Sequence, residues 1–141
     1  MKLFLDTSVL LAACGSKKGV SHALFDYAES QGWELLGSQY VFSEVLKNLP
    51  KLPESATTEW NKLRSDIKAV ADILTLDRTA VFMASKDRPV LFTAYAWSDV
   101  LITLDKADFI DVLGETFYGL PVFLPYDFLA HERRTGRLKS I

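Results

Sequence analysis

Cysteine is almost absent from this chain, and long apolar runs are absent altogether. Cys14 is the only cysteine among 141 residues, so no disulfide can form within the chain and nothing indicates an oxidising compartment. No segment approaches the roughly 18 consecutive apolar residues of a membrane span. We therefore expect a cytoplasmic protein with no membrane association.

An excess of charge of one sign is also missing. The formal net charge is −2, which counts against a simple basic surface for nucleic acid. An enzyme whose acids are neutralised by a metal could still bind a polyanion. His22 and His131 are the only histidines, and neither stands beside a serine or cysteine that it could activate. We interpret both histidines as structural or surface groups.

Internal repeats and low-complexity segments are absent as well. A chain of 141 residues has the length of one domain, and its apolar content of 49% suits a packed core. We expect a single domain over residues 1–141, with residues 126–141 as a C-terminal extension. The basic tail of that extension either binds RNA or forms a flexible end.

Apolar periodicity predicts helices and strands in alternation along the chain. The predicted helices are 21–30, 39–49, 54–67, 85–97 and 106–113, and the predicted strands are 2–5, 34–37, 70–76, 100–104 and 120–124. Residues 114–119 are predicted as a loop. This alternation is typical of the α/β class, and we expect a three-layer α/β/α fold with a mostly parallel central sheet.

Asp6 stands directly after the first predicted strand. A carboxylate in that position lies at the carboxyl end of the strand, the edge that faces the ligand crevice in open parallel sheets. Alternatively, Asp6 caps a helix that begins near Ser8. The run ending at Cys14 also resembles a lipoprotein cleavage site, but Asp6 would place a charge within the apolar core that such a signal requires.

Four further acids occupy positions that suit a functional site. Glu44 borders the apolar face of its predicted helix, and Asp87 falls in the first turn of another. Asp105 directly follows a predicted strand, and Asp108 comes soon after it. Each acid singly is explained as a helix cap or a solvated side chain. Together with Asp6 they suit a hard cation such as Mg²⁺ or Mn²⁺, which prefers oxygen ligands.

The order and spacing of these stretches resemble the PIN-domain family, the small metal-dependent ribonuclease fold that includes the toxins of many bacterial toxin–antitoxin pairs. The resemblance covers nearly the whole chain. It rests on LFLDTSVLLAA with Asp6 and Ser8, VFSEVLKNL with Glu44, KDRPVLFTA with Asp87, and ITLDKADF with Thr103 and Asp105.

This resemblance implies hydrolysis of RNA phosphodiester bonds with one or two Mg²⁺ or Mn²⁺ ions as cofactors. Its catalytic residues would be Asp6, Glu44, Asp87 and Asp105, with Asp108 as a further metal ligand and with Ser8 and Thr103 in support. The division of roles between Asp105 and Asp108 stays open. The resemblance also implies a homodimer and an inhibitory antitoxin protein as partners.

Five basic residues stand near the predicted acids in loops or at helix starts. Those that could contact the phosphates of a nucleic acid are Lys17, Lys18, Lys86, Arg88 and Lys106. For any one of them, an ordinary solvated side chain is the simpler interpretation.

Two other classes of function compete with the nuclease. A phosphoaspartyl hydrolase or receiver domain would use Asp6 as its nucleophile, but the hydrolase pattern places a second aspartate where this chain has Ser8. A PIN-like module that binds RNA or protein without cutting is the other alternative. The complete set of four acids counts against that module, because unused clustered carboxylates repel one another.

Overall fold

The computed structural model describes residues 1–74 and 88–138, and only the backbone of Arg88. Within this part of the chain the strands are β1 (Lys2–Leu5), β2 (Glu34–Ser38), β3 (Ile67–Val70), β4 (Val100–Ile102), β5 (Thr116–Phe117) and β6 (Leu120–Phe123). The helices are α1 (Thr7–Gly15), α2 (Val20–Gln31), α3 (Gln39–Asn48), α4 (Ser55–Arg64), α5 (Arg88–Trp97) and α6 (Pro125–Arg134).

One sheet with the strand order β3-β2-β1-β4-β6-β5 forms the centre of the protein. All neighbouring strands are parallel except β5, which runs antiparallel to β6. From β1 the chain proceeds to β2 and β3 on one side, and then returns to β4 on the other side of β1. The sheet therefore has a topological switch point between β1 and β4.

Helices cover the sheet on both faces. Leu3, Phe4 and Leu5 of β1 are all fully buried, although successive residues of a strand point to opposite faces. Helix α1 packs against α2, α3 and α4, while α5 packs against β1 and β4. The three-layer α/β/α fold with a mostly parallel sheet is therefore confirmed, because a central strand buried on both faces needs a layer on each side.

The predictions for residues 54–76 were wrong at the end of the helix and in the position of the strand. Helix α4 ends at Arg64, and Ile67 begins β3 instead of completing the helix. The side chain of Ile67 is buried in either arrangement, so apolar spacing could not distinguish them. Residues 71–74 are not a strand, and the predicted strand residues 75–76 lie outside the described residues.

Residues 106–113, predicted as a helix, form a series of turns. The carboxylate of Asp105 accepts a hydrogen bond from the amide of Asp108 at 3.0 Å, as a helix cap does. The backbone bonds of helical type that follow, from Phe109 to Asp105 and from Leu113 to Phe109, are not consecutive, so the turns do not join into a helix. The predicted loop at 114–119 contains β5 and a tight turn to β6. Tyr118 and Gly119 in that turn have φ values of 48° and 89°.

The C-terminal segment is more ordered than predicted. Residues from Pro125 form α6, which packs against α2 and buries Phe128 and Leu129. Part of the basic tail is also paired, because the guanidinium of Arg137 donates two hydrogen bonds to Glu132, at 2.7 and 2.9 Å. In residues 1–74 and 88–138 no helix is both long and apolar enough to cross a membrane.

Candidate metal centre

An acidic pocket opens at the carboxyl ends of β1 and β4, beside the topological switch point. In open α/β sheets this is the crevice where ligands bind. The pocket has a volume of about 180 Å³ and is hereafter called the acid pocket. It is lined by Asp6, Thr7, Ser8, Tyr40, Glu44, Val90, Asp105 and Asp108.

Asp6 is fixed in the acid pocket by three hydrogen bonds. Its Oδ1 accepts from the amide of Thr7 at 2.8 Å, so Asp6 is the N-cap of α1. Its Oδ2 accepts from the hydroxyls of Ser8 at 3.0 Å and Thr103 at 2.7 Å. The two interpretations of Asp6, a helix cap and a lining group of the pocket, are therefore both correct.

Ser8 and Thr103 also connect the ends of the two central strands. The hydroxyl of Ser8 accepts from the amide of Leu104, and the hydroxyl of Thr103 accepts from the amide of Asp105, each at 3.0 Å. Each hydroxyl thus donates to Asp6 and accepts from the segment that carries Asp105. This network fixes the carboxyl ends of β1 and β4 relative to each other where they line the pocket.

Burial raises the pKa of the Asp6 carboxyl, of which only 6% is exposed, and the nearby charge of Asp105 raises it further. The hydrogen bonds from Thr103, Ser8 and Thr7 offset part of this effect by favouring the ionised form. A cation in the acid pocket would favour ionised Asp6 in the same way, so the cluster is electrostatically suited to bind one.

Glu44 reaches the acid pocket from α3, and Asp105 and Asp108 reach it from the turns after β4. All three side chains are half-buried. Among the described side chains, however, no three His, Cys, Asp or Glu residues lie close enough together to hold one metal ion. The carboxylates share one pocket without converging on a single point.

The donor set of the acid pocket fits Mg²⁺ or Mn²⁺. All of its charged groups among the described residues are carboxylates, and Mg²⁺ in proteins is commonly held by only one or two carboxylates plus waters and substrate phosphates. The residues that would hold a cation here are Asp6, Glu44, Asp105 and Asp108. Asp87, the remaining predicted ligand, lies outside the described residues.

None of the predicted phosphate-binding residues whose side chains the structure describes, Lys17, Lys18 and Lys106, lines the acid pocket. Lys86 and the side chain of Arg88 lie outside the described residues. Lys106 is exposed and lines a different, neighbouring pocket.

Three residues near the acids were missed by the sequence analysis. Tyr40 and Val90 line the acid pocket. Asp72 follows β3, and its carboxylate accepts from the amide of Tyr40 at 3.1 Å in the first turn of α3. Asp72 comes after a strand, as Asp6 and Asp105 do. The sequence analysis placed Asp72 inside a predicted strand, 70–76, and therefore did not consider it as an acid at a strand end. Tyr40 and Val90 carried no comparable signal.

The fold and the pocket define the class as a three-layer α/β protein with an acidic pocket at the switch point of its parallel sheet. The chain is similar in structure to PAE2754 from Pyrobaculum aerophilum, for which there is a crystal structure. The TM-score is 0.63 and the sequences are 16% identical. The match covers 95% of this chain and 90% of that chain. At this identity the similarity concerns the fold alone. No protein-family model matches the chain, and no curated protein matches it significantly.

Proposed function

We propose that this protein is a metal-dependent endoribonuclease that hydrolyses RNA phosphodiester bonds with Mg²⁺ or Mn²⁺. The observation that carries the proposal is the acid pocket, which four carboxylates from three parts of the chain line at the switch point of the sheet. Asp6 follows β1, Glu44 lies on α3, and Asp105 and Asp108 lie in the turns after β4. The resemblance of the four acidic stretches to PIN domains supplies the substrate class and the reaction.

Hydrolysis at this site needs no protein nucleophile. The oxygen of a water molecule attacks the phosphorus, the bond from phosphorus to the leaving oxygen breaks, and the proton released by the water ends on that leaving oxygen. A bound divalent cation would lower the pKa of water and stabilise charge on the phosphate. One or two carboxylates among Asp6, Glu44 and Asp105 would hold the cation, with waters and substrate oxygens as its other ligands, while Ser8 and Thr103 keep Asp6 oriented. Asp108 and Asp87 are additional ligands in this proposal.

A binding module that does not cut is the second candidate. It is favoured by one observation, the absence of three convergent metal ligands among the described residues. A phosphoaspartyl mechanism has less support, because the carboxylate of Asp6 is buried and accepts three hydrogen bonds, which makes it a poor nucleophile.

Cleavage of labelled RNA by the purified protein distinguishes these candidates. We expect cutting in Mg²⁺ or Mn²⁺, none in EDTA, and none by Asp6→Asn, whose amide can still cap α1. Asp127→Asn is the matched control, because Asp127 is an exposed acid in the first turn of α6. Equal cutting by wild type and Asp6→Asn would contradict the proposal. RNA binding without cutting would favour the binding module.

The proposal includes a cytoplasmic location, a homodimer and an inhibitory antitoxin protein, all inferred from the sequence. A homodimer predicts twice the chain mass by light scattering, and a constant monomer mass across concentrations would contradict it. An antitoxin predicts that a co-expressed neighbouring gene product suppresses cleavage by wild type.

A further inference from the structure

A second pocket adjoins the acid pocket and is larger and mostly apolar. Its volume is about 340 Å³, and we call it the base pocket. Ala12 of α1, the turn before α2, residues after β4 and the start of α6 form its walls. No described lining residue is acidic. The lining residues are Ala12, Ser16, Gly19, Val20, Ser21, Leu104, Lys106, Leu124, Pro125 and Tyr126.

The two pockets are lined by neighbouring residues of the same segments. Asp105 lines the acid pocket, while its two neighbours in the chain, Leu104 and Lys106, line the base pocket. On α1, Ser8 lines the first pocket and Ala12 lines the second, a separation of about 6 Å along the helix axis. A group bound in one pocket can therefore be joined through a few covalent bonds to a group bound in the other.

Apolar side chains stand at the mouth of the base pocket. Tyr126 is 65% exposed, and Val20 and Leu104 are each 40% exposed. An aromatic ring beside an apolar cavity suits the flat face of a nucleobase, since stacking on such rings is a common means of binding unpaired bases.

The rim of the base pocket is basic. Lys106 lines the pocket, and the exposed residues Lys17 and Lys18 occupy the turn between its lining residues Ser16 and Gly19. Lys17 is paired with Glu59 at 3.6 Å, and Lys18 and Lys106 are further positive groups among the described residues of the rim. An apolar cavity with a basic rim complements a nucleotide, which has an apolar ring and an anionic phosphate.

We propose that the base pocket binds one unpaired nucleobase of an RNA strand, next to the phosphate that enters the acid pocket. This inference rests on the proposed nuclease function and adds a substrate requirement, because the base must be free of a duplex to enter. Lys106 and Lys18 contact the flanking phosphates. An apolar side chain of a protein partner would fill the cavity but would make no use of its basic rim.

The test measures binding of a labelled ten-nucleotide single-stranded RNA, with every variant placed in the cleavage-deficient Asp6→Asn background. Ala12→Leu narrows the base pocket and Tyr126→Ala removes its aromatic wall. Ala69→Leu, an exposed site on β3, and Tyr118→Ala, in the β5–β6 turn, are the matched controls. We expect each pocket variant to weaken binding about tenfold relative to its control.

A scan with abasic nucleotides locates the base without relying on protein variants. Removal of one particular base, adjacent to the bond that wild type cleaves, should weaken binding about tenfold, whereas removal of distant bases should not. Circular dichroism of each variant verifies folding. If Ala12→Leu does not fold, Tyr126→Ala and the abasic scan still decide the outcome.

The results separate this inference from the nuclease proposal. If wild type cleaves RNA but neither the pocket variants nor the abasic sites change binding, the base pocket is overturned and the nuclease proposal stands. The cavity would then suit a side chain of a protein partner. Base-dependent binding without cleavage by wild type supports the base pocket and overturns the nuclease. Failure of the Asp6→Asn protein to bind any single-stranded RNA overturns the base pocket.

Discussion

Thr103 illustrates how a single hydroxyl supports the candidate site. It is fully buried, donates to Asp6 and accepts from the amide of Asp105. Thr103→Val keeps the shape of the side chain but removes one of the three hydrogen bonds to the buried carboxylate of Asp6 and the acceptor of the half-buried Asp105 amide. We expect a loss of about 1–3 kcal/mol in the free energy of unfolding, measured with urea.

Thr57→Val is the control for this substitution, because Thr57 is exposed on α4. We expect its effect on stability to stay within about 0.5 kcal/mol. Equal stability of Thr103→Val and Thr57→Val would contradict the network. Cleavage should also fall in Thr103→Val, since Asp6 would lose the hydrogen bond that orients it.

His22 predicts a pH dependence of stability that is independent of the acid pocket. Burial alone would lower its pKa, but Glu59 at 2.9 Å and Asp26 at 3.3 Å outweigh burial and raise it. The hydrogen bond from His22 in turn lowers the pKa of Glu59, assisted by the charges of Lys17 and Lys62.

The raised pKa of His22 stabilises the fold fully below its ordinary value near 6.5, and this contribution disappears as pH rises through the raised value. The lowered pKa of Glu59 stabilises the fold above its ordinary value, and this contribution disappears as pH falls through the lowered one. Urea unfolding should therefore show wild type losing stability from pH 6 to pH 8.5. His22→Gln should lose less over that range, and parallel curves would contradict the assignment.

At the scale of the element, Gly37 in β2 explains how helix α3 packs closely on this strand. A Cβ at this position would lie 2.6 and 2.9 Å from the ring of Phe42 and 3.2 Å from Ile67. Phe42 cannot move easily, since it contacts Trp60 and lies under the guanidinium of Arg64 at 4.0 Å. The absence of a side chain at Gly37 therefore permits close packing of α3 on the sheet.

Gly37→Ala should consequently lower the free energy of unfolding by about 1–3 kcal/mol through overpacking. Gly15→Ala is the control, because a Cβ there would meet nothing within 4 Å. Thermal unfolding measures both. A stability for Gly37→Ala equal to that of Gly15→Ala would show that Phe42 repacks without cost.

Regular elements were predictable where the pattern allowed one interpretation. The runs that became β1 and β4 are continuous and apolar because these strands are buried on both faces, and Asp6 and Asp105 mark their carboxyl ends. Ile67 did not indicate where the helix ends, because its side chain is buried whether it ends a helix or begins a strand. The prediction of a helix over residues 106–113 was wrong, because the two backbone bonds of helical type there, from Phe109 to Asp105 and from Leu113 to Phe109, are not consecutive. Apolar spacing does not reveal this difference.

The acid pocket was partly predictable for the same reason. Four of its lining acids were proposed from their positions after strands and in helices. The contact of Asp72 with Tyr40 was not predictable, because it depends on where β3 ends. The base pocket left no periodic signal, since residues from α1, the β4 end and α6 form it jointly.

At the scale of the whole molecule, metal binding should couple to stability. A cation bound only by the folded state stabilises it by about 2.7 kcal/mol at a concentration 100 times its Kd. Thermal unfolding of wild type should therefore shift upward in Mg²⁺ or Mn²⁺. Asp105→Asn should show a smaller shift, while Asp127→Asn should match wild type.

The metal-free proteins provide a second comparison. Asp105 raises the pKa of Asp6, so its neutralisation should leave the metal-free protein as stable as wild type or more so. An equal upward shift with metal in wild type and Asp105→Asn would indicate that the cation binds elsewhere.

The pairing of β1 with β4 also determines when the site can form during synthesis. Asp6 and Thr103 are separated by 97 positions in the chain, and their hydrogen bond joins the first strand to a late one. A ribosome adds about 5–20 residues per second, so a growing chain spends several seconds with β2 but without β4, the second of the two strands that flank β1. Until β4 emerges, the acid pocket cannot form. A nascent chain that lacks β4 therefore also lacks the acid pocket, whatever conformation its amino-terminal half adopts.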